Sequence, residues 1–253
     1  MITSITRSLV VAAVCCCGLA AHGDEWGSIK GRFVFGGDAP TAAELKADKD
    51  IEVCGKHKLM SEELVVGVDN GVADVVVFVR DKDVKVNPDL KAAETVVLDN
   101  KNCRFEPHVL FVQTGQQLVI KNSDPVGHNS NITPFVNPAS NPLIPAGGDT
   151  KITFTKEEPR PIPVTCNVHP WMKAWLVVRS NPYAAISSPD GSFEIKGVPV
   201  GDVELQIGHE KGYVAGSTTT QGKTDKKGRI KVKVVAGGTD LGDITVPSAI
   251  FTK

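Results

Sequence analysis

Apolar and polar residues alternate with a period of two along much of the chain. In residues 28–35, Ile29, Gly31, Phe33 and Phe35 share one face while Lys30 and Arg32 take the other, which predicts a strand with one buried side. Val-rich runs at residues 63–67 and 72–79 flank Val68-Asp69-Asn70-Gly71. Asn-Gly is a strong hairpin signal because both residues tolerate positive φ. Further strands are predicted at 95–98, 150–155 and 174–178, and residues 109–121 read as a hairpin turning at Thr114-Gly115. After Asn181-Pro182 the strands shorten, at 183–186, 192–195, 203–209 and 229–235, with turns at Pro189-Asp190-Gly191 and Val198-Pro199-Val200-Gly201. Thr41-Ala-Ala-Glu44 is a capping-box pattern ahead of Leu45 and Ala47, and it predicts a short surface helix over 41–49. The charged stretch 81–93, the Asn- and Pro-rich stretch 129–148 and the polar stretch 216–227 read as loops. The pattern as a whole is that of an all-β chain.

Composition agrees with this reading. A chain of 253 residues with 24 Gly and 16 Pro and many Val favours short strands and turns, and its length allows one large or two small domains. A formal charge of −1 gives no argument for a nucleic-acid partner. Residues 1–23 read as a signal peptide: Arg7 supplies the basic start, residues 9–21 the apolar stretch, and Ala21-His22-Gly23 the small residues of a cleavage site. An uncleaved anchor is the competing reading. The expectation is a periplasmic or secreted protein with no membrane span after cleavage.

The chemistry concentrates in Cys166-Asn167-Val168-His169-Pro170-Trp171-Met172, which follows an apolar run. Thiolate, imidazole and thioether together select copper over magnesium or calcium, and a trigonal copper site needs one more imidazole. His128, in the loop after the second strand of 109–121, is the candidate. Over roughly residues 103–179 the chain resembles the cupredoxins, the small blue copper proteins, and the Cys-x-x-His-x-x-Met loop is similar to that of amicyanin. The resemblance implies a Greek-key β-sandwich holding one type 1 copper. It makes His128, Cys166 and His169 the equatorial ligands, Met172 the axial ligand, and Asn129 a tie between the two ligand loops. It also implies that the edge of His169 reaches the surface through an apolar patch. Trp171 reads either as part of that docking patch or as a core aromatic. Residues 182–248, with Asp190-Gly191-Ser192-Phe193-Glu194-Ile195, resemble a transthyretin-like module of the kind found beside carboxypeptidases, which implies a small β-sandwich used as spacer or binding module. The expected partition is 1–23 signal peptide, 24–180 copper domain with an N-terminal extension, and 181–253 C-terminal sandwich; the strand beginning at Ile29 can belong to either module.

Cysteine arithmetic then becomes informative. Three of the six Cys lie in the signal segment, leaving Cys54, Cys103 and Cys166. If copper takes Cys166, Cys54 and Cys103 can pair in an oxidising compartment. The competing reading sets one of them in a metal site with His57 or His108. Spacings needed by other chemistries are absent: there is no His-x-His pair, no Cys-x-x-Cys-His, no His-Glu-x-x-His and no Gly-x-Ser-x-Gly. The expectation is therefore a carrier of single electrons and not an enzyme, with a redox partner such as a cytochrome or a periplasmic oxidoreductase. Two alternatives stand beside it: a copper-holding or copper-sensing protein, and a surface interaction protein with a vestigial site.

Overall fold

The computed structural model describes residues 25–251; the segment read as a signal peptide lies outside the described residues. In chain order the longer elements are β1 (Trp26–Gly36), a single helical turn α1 (Ile51–Cys54), β2 (Val76–Val79), β3 (Thr95–Lys101), β4 (Arg104–Glu106), β5 (Val109–Gln113), β6 (Gln117–Asn122), β7 (Asp149–Thr153), β8 (Ile162–Thr165), β9 (Lys173–Arg179), β10 (Ala184–Ile186), β11 (Ser192–Pro199), β12 (Gly201–His209), β13 (Arg229–Val234) and β14 (Thr239–Pro247). The all-β expectation holds, and the strands make sandwiches.

In the first sandwich one sheet runs β7-β6-β3-β4. The other runs β8-β9-β5, with Asn131–Ile132 at the β8 edge. Leu118 and Ile120 from β6, Val112 from β5, Val164 from β8 and Leu176 from β9 meet between the sheets with no measurable exposure, beside Phe105 and Leu98. The predicted hairpin over 109–121 does not form. β5 pairs in parallel with β9, whereas β6 pairs in parallel with β3 and antiparallel with β7. Gly115, at φ 88, carries the chain from one sheet to the other, and the N–H groups of Thr114 and Gly115 donate to Arg179 and Phe154 instead of across a hairpin. The physical reason is burial: each strand has an apolar face, and opposite sheets let the two faces cover each other.

The second sandwich draws on both ends of the chain. β1 lies between β11, to which it is antiparallel, and β14, to which it is parallel. β2 lies between β10 and β12, and β13 pairs with β12. The boundary expected at 180/181 therefore needs correction, because residues 26–36 and 76–79 belong with the C-terminal strands. Without β1, β11 and β14 would face each other across a gap with unpaired backbone groups. With it, Ile29, Phe33 and Phe35 join Phe193, Ile195, Ile244 and Val246 in one buried core. The two sandwiches meet where Val76, Phe78, Ala184 and Ile186 pack on Val109, Phe111, Trp175 and Val177.

Two local predictions resolve differently. The turn at 68–71 forms, but positive φ falls on Asp69 and Asn70 (50° and 59°), and only Val66 and Val72 bridge below it. The helix expected over 41–49 is absent. Glu44–Leu45 pairs with Leu59–Met60, and the helical turn comes later, at α1. A helix this short cannot sustain itself, so pairing with a distant segment decides the conformation. The outcome is a strap, residues 44–60, joined to the first sandwich by a disulfide between Cys54 and Cys103, whose Cα atoms lie 5.5 Å apart. The cysteine pairing expected from the arithmetic is therefore present, and neither residue serves a metal site as a free thiol.

Candidate metal centre

Two loops at one end of the first sandwich carry the site. The loop after β6 is braced by Asn122, whose amide donates to the carbonyls of Val126 and Ile144, and by the pairing of His128 with Ile144 and of Asn129 with Leu143. The loop between β8 and β9 closes on itself: Cys166 N–H donates to the Met172 carbonyl and Met172 N–H to the His169 carbonyl at 2.9 Å. These braces bring one donor atom from each of His128, Cys166 and His169 within 4.8 Å of one another. The two imidazole rings lie 4.5 Å apart, centroid to centroid. His128 and His169 have no exposure and Cys166 has 2 %. Met172, 1 % exposed, ends the same loop and packs in the same core as Cys166.

Asn129 bridges the two loops. Its Oδ1 accepts the N–H groups of Asn167 at 2.8 Å and Val168 at 3.2 Å and lies 3.4 Å from the Cys166 sulfur, while its Nδ2 donates to Asn141. His169 N–H points at the same sulfur from 3.4 Å.

Each imidazole is held at its outer nitrogen by a carboxylate. His128 Nε2 lies 2.9 Å from Asp124, and His169 Nε2 lies 2.8 Å from Asp50. A ring that donates Nε2–H outward presents the Nδ1 lone pair inward when neutral. His169 Nδ1 lies 3.7 Å from the Cys166 sulfur, and His128 Nδ1 is buried without a hydrogen-bond partner. An orphaned buried ring nitrogen beside a sulfur and a second imidazole could hold a metal, and a soft cation such as copper fits this donor set.

The electrostatics agree. Burial pushes the Cys166 thiol up, but His128 and the surrounding backbone N–H groups outweigh it and hold the thiol below its usual range. Burial pulls His128 down, but Asp124 and the Cys166 sulfur outweigh it and raise the group to about 9. Burial also raises Asp124, yet His128 and the N–H groups of Cys103 and Asn102 bring it below the ordinary carboxylate value. His169 is lowered, by burial first, with Asp50 offsetting only part of it. The His128 imidazole and the Cys166 thiol thus favour each other's charged forms, and a bound cation would take the place of the proton. A second cluster, Cys103, Asp124 and His128, also converges, but the Cys103 sulfur is committed to the disulfide.

The expected exposed edge of His169 and its apolar patch need correction. Asp50 covers the edge, and Trp171 is half-buried under the strap, packed against Cys54, Cys103 and Leu59 with its indole N–H donating to the Cys103 carbonyl at 3.0 Å. The core reading of Trp171 is the one its packing fits. The residues that the spacing did not reveal are Asp50 and Asp124. Asp124 stands four positions before His128, a signal open to notice; Asp50 is 119 positions from His169 and carries none.

No protein-family model matches the chain, and no curated protein matches it. Solved structures do. One is a variant of amicyanin in its reduced Cu(I) form, 22 % identical over 41 % of this chain and 98 % of that one, at a TM-score of 0.31. Another is a copper-containing nitrite reductase from Thermus scotoductus SA-01, 25 % identical over 37 % of this chain and 24 % of that one, also at 0.31.

Proposed function

We propose that the chain is an exported one-electron carrier holding a single type 1 copper on His128, Cys166 and His169, with Met172 as a weak axial ligand. The observation that carries the reading is the meeting of two buried imidazoles and a buried thiol within 4.8 Å, with an unpartnered Nδ1 among them. Bound copper would supply the one-electron couple. The chain does the rest: the closed Cys166–Met172 loop and the braced His128 loop keep the donors in place in either redox state, which limits reorganisation. Burial of all three donors excludes water. With three protein donors and Met172 in the same core, the reading leaves no position for a substrate, so a carrier is favoured over an enzyme. The partner would be a redox protein such as a cytochrome or a periplasmic oxidoreductase, and the C-terminal sandwich would serve as a transthyretin-like spacer or docking module.

The test is the optical and spin-resonance spectrum of the copper-loaded chain. An intense visible band from thiolate-to-copper charge transfer is expected, and Cys166→Ser should abolish it. A colourless copper complex, or a colour that survives the substitution, would reject the reading. One observation favours a second function, copper holding: His169, the ligand expected at the surface, is fully covered. Rapid electron exchange with a small cytochrome separates the carrier from the store.

A further inference from the structure

The strap that carries Asp50 is tied to the metal centre at both imidazoles. Asp50 sits at the N-terminal cap of α1, where an Asp carboxylate ordinarily accepts a backbone N–H of the first turn. Here the side chain makes no capping bond, and the residue stands in the left-handed region at φ 44 and ψ 46. The carboxylate turns instead to His169 Nε2 at 2.8 Å. The Asp50 carbonyl accepts the N–H of Cys54, the cysteine that closes the disulfide to Cys103. On the other side of that bond, Cys103 N–H donates to Asp124 at 2.8 Å, and Asp124 holds His128. A single covalent link therefore frames both outer carboxylates.

We propose that Asp50 is a positioning residue for the metal centre: by accepting Nε2–H from His169 across the strap, it fixes that ring with Nδ1 toward Cys166 and closes the outer side of the site. The inference rests on the copper reading for its consequences but not for its geometry. Asp50 turns its carboxylate to His169 and not to the cap of α1, and it stands in a backbone conformation that few residues besides Gly, Asn and Asp adopt. Asp50 remains partly open to solvent, its side chain 41 % exposed, while the imidazole beneath it has no exposure. Outer partners of this kind hold a ligating ring in one tautomer and raise its basicity, and removing them costs ~10–100-fold in metal affinity.

The experiment compares the full chain with Asp50→Ala, which removes the acceptor, and Asp50→Asn, which keeps an acceptor oxygen without the charge. Nitrogen NMR of the metal-free chain reads the His169 tautomer directly. Nε2–H with slow solvent exchange is expected in the parent and in Asp50→Asn, and its loss in Asp50→Ala. Competition titration with a Cu(I) chelator should show affinity falling about 10–100-fold in Asp50→Ala and less in Asp50→Asn. The reduction potential should rise in Asp50→Ala, because a carboxylate on the imidazole stabilises Cu(II) more than Cu(I). An Asp50→Ala chain with the parent's circular dichroism, tautomer, affinity and potential overturns the proposal. If the parent binds copper without colour, the electron-carrier reading fails on its own, and the tautomer and affinity measurements still decide this one.

Discussion

Asn129 shows how much one side chain contributes to the site. Its Oδ1 is shared by two backbone N–H groups of the Cys166 loop, and its amide reaches Asn141 in the other direction. Asn129→Ala removes two part-buried hydrogen bonds, which costs about 0.5–1.5 kcal/mol for each. A midpoint drop of about 2–4 °C per kcal/mol is expected for a chain of this size. Thermal melts of the metal-free protein check the stability; a visible band broadened or weakened in the copper-loaded variant would show that the loop has loosened around Cys166. A variant that melts and absorbs like the parent would remove Asn129 from the loop's support. The position was legible from the resemblance, because Asn129 follows His128 directly. Asp124 was within reach of the same reading, whereas Asp50 was not: an exposed Asp in a mixed-charge stretch looks like any solvated residue until its contact is seen.

At the scale of elements the strap shows how local preference loses to pairing. Thr41-Ala-Ala-Glu44 satisfies the capping pattern, yet Glu44–Leu45 pairs with Leu59–Met60 and the helical turn forms later, at α1. The disulfide holds this arrangement. Cys54 and Cys103 are 49 positions apart, and closing a loop of that length stabilises by about 4 kcal/mol in the chain-entropy model. Replacing both by Ser should lower the denaturation midpoint by a corresponding amount. It should also expose residues 44–60 to limited proteolysis before the rest of the first sandwich. Uniform cleavage across the chain, or an unchanged midpoint, would mean that Leu45, Leu59 and Trp171 secure the strap without the covalent bond.

Across the whole molecule, the sandwiches are joined by a buried ionic group as well as by apolar packing. His108, in the first sandwich, lies with Nε2 2.8 Å from Glu210, which follows β12 in the second. Its Nδ1 faces the Lys173 carbonyl at 3.1 Å and Glu62 at 3.7 Å. A carbonyl only accepts, so Nδ1 carries a proton, and Nε2 facing a carboxylate favours a second. Burial pulls His108 down, but Glu210, Glu62 and Asp74 outweigh it and leave the group above its ordinary 6.5. The stability this contributes is present below the unfolded value and is lost as pH rises through the folded one. Glu62 and Asp74, raised mainly by burial, act in the same direction above 4.5 and 3.8 respectively. His209, pushed down to about 4 by burial, acts oppositely between that value and 6.5; above 6.5 His128, raised to about 9, adds to the fall, and Cys166, held below its usual value, opposes it. Denaturant unfolding should therefore show stability falling as pH rises above neutrality. His108→Gln should flatten that slope and cost about 3–5 kcal/mol at neutral pH by leaving Glu210 buried without its cation. An unchanged slope in the variant would shift the pH response to other groups.

What the residues announce by themselves is what depends on near neighbours. Period-two alternation needs only the pleat, so most strands, including β1, β3, β6, β7 and β9, were legible. The Cys166–Met172 spacing needs only one short loop, and the cysteine count left one pair once Cys166 was assigned. Sheet membership is a different quantity. β5 and β6 look like a hairpin because a two-strand ribbon is the nearest use of two adjacent alternating runs, but each gains more burial by joining the opposite sheet. β1 gives no local sign of lying between β11 and β14, since its partners begin 156 or more positions later and an amphipathic strand accepts any complementary edge. The covering of His169 by Asp50 is of the same kind. It depends on where a disulfide and a two-residue pairing bring a strap across the site, and such long-range closure is decided by the free energy of the assembled fold, which no window of sequence contains.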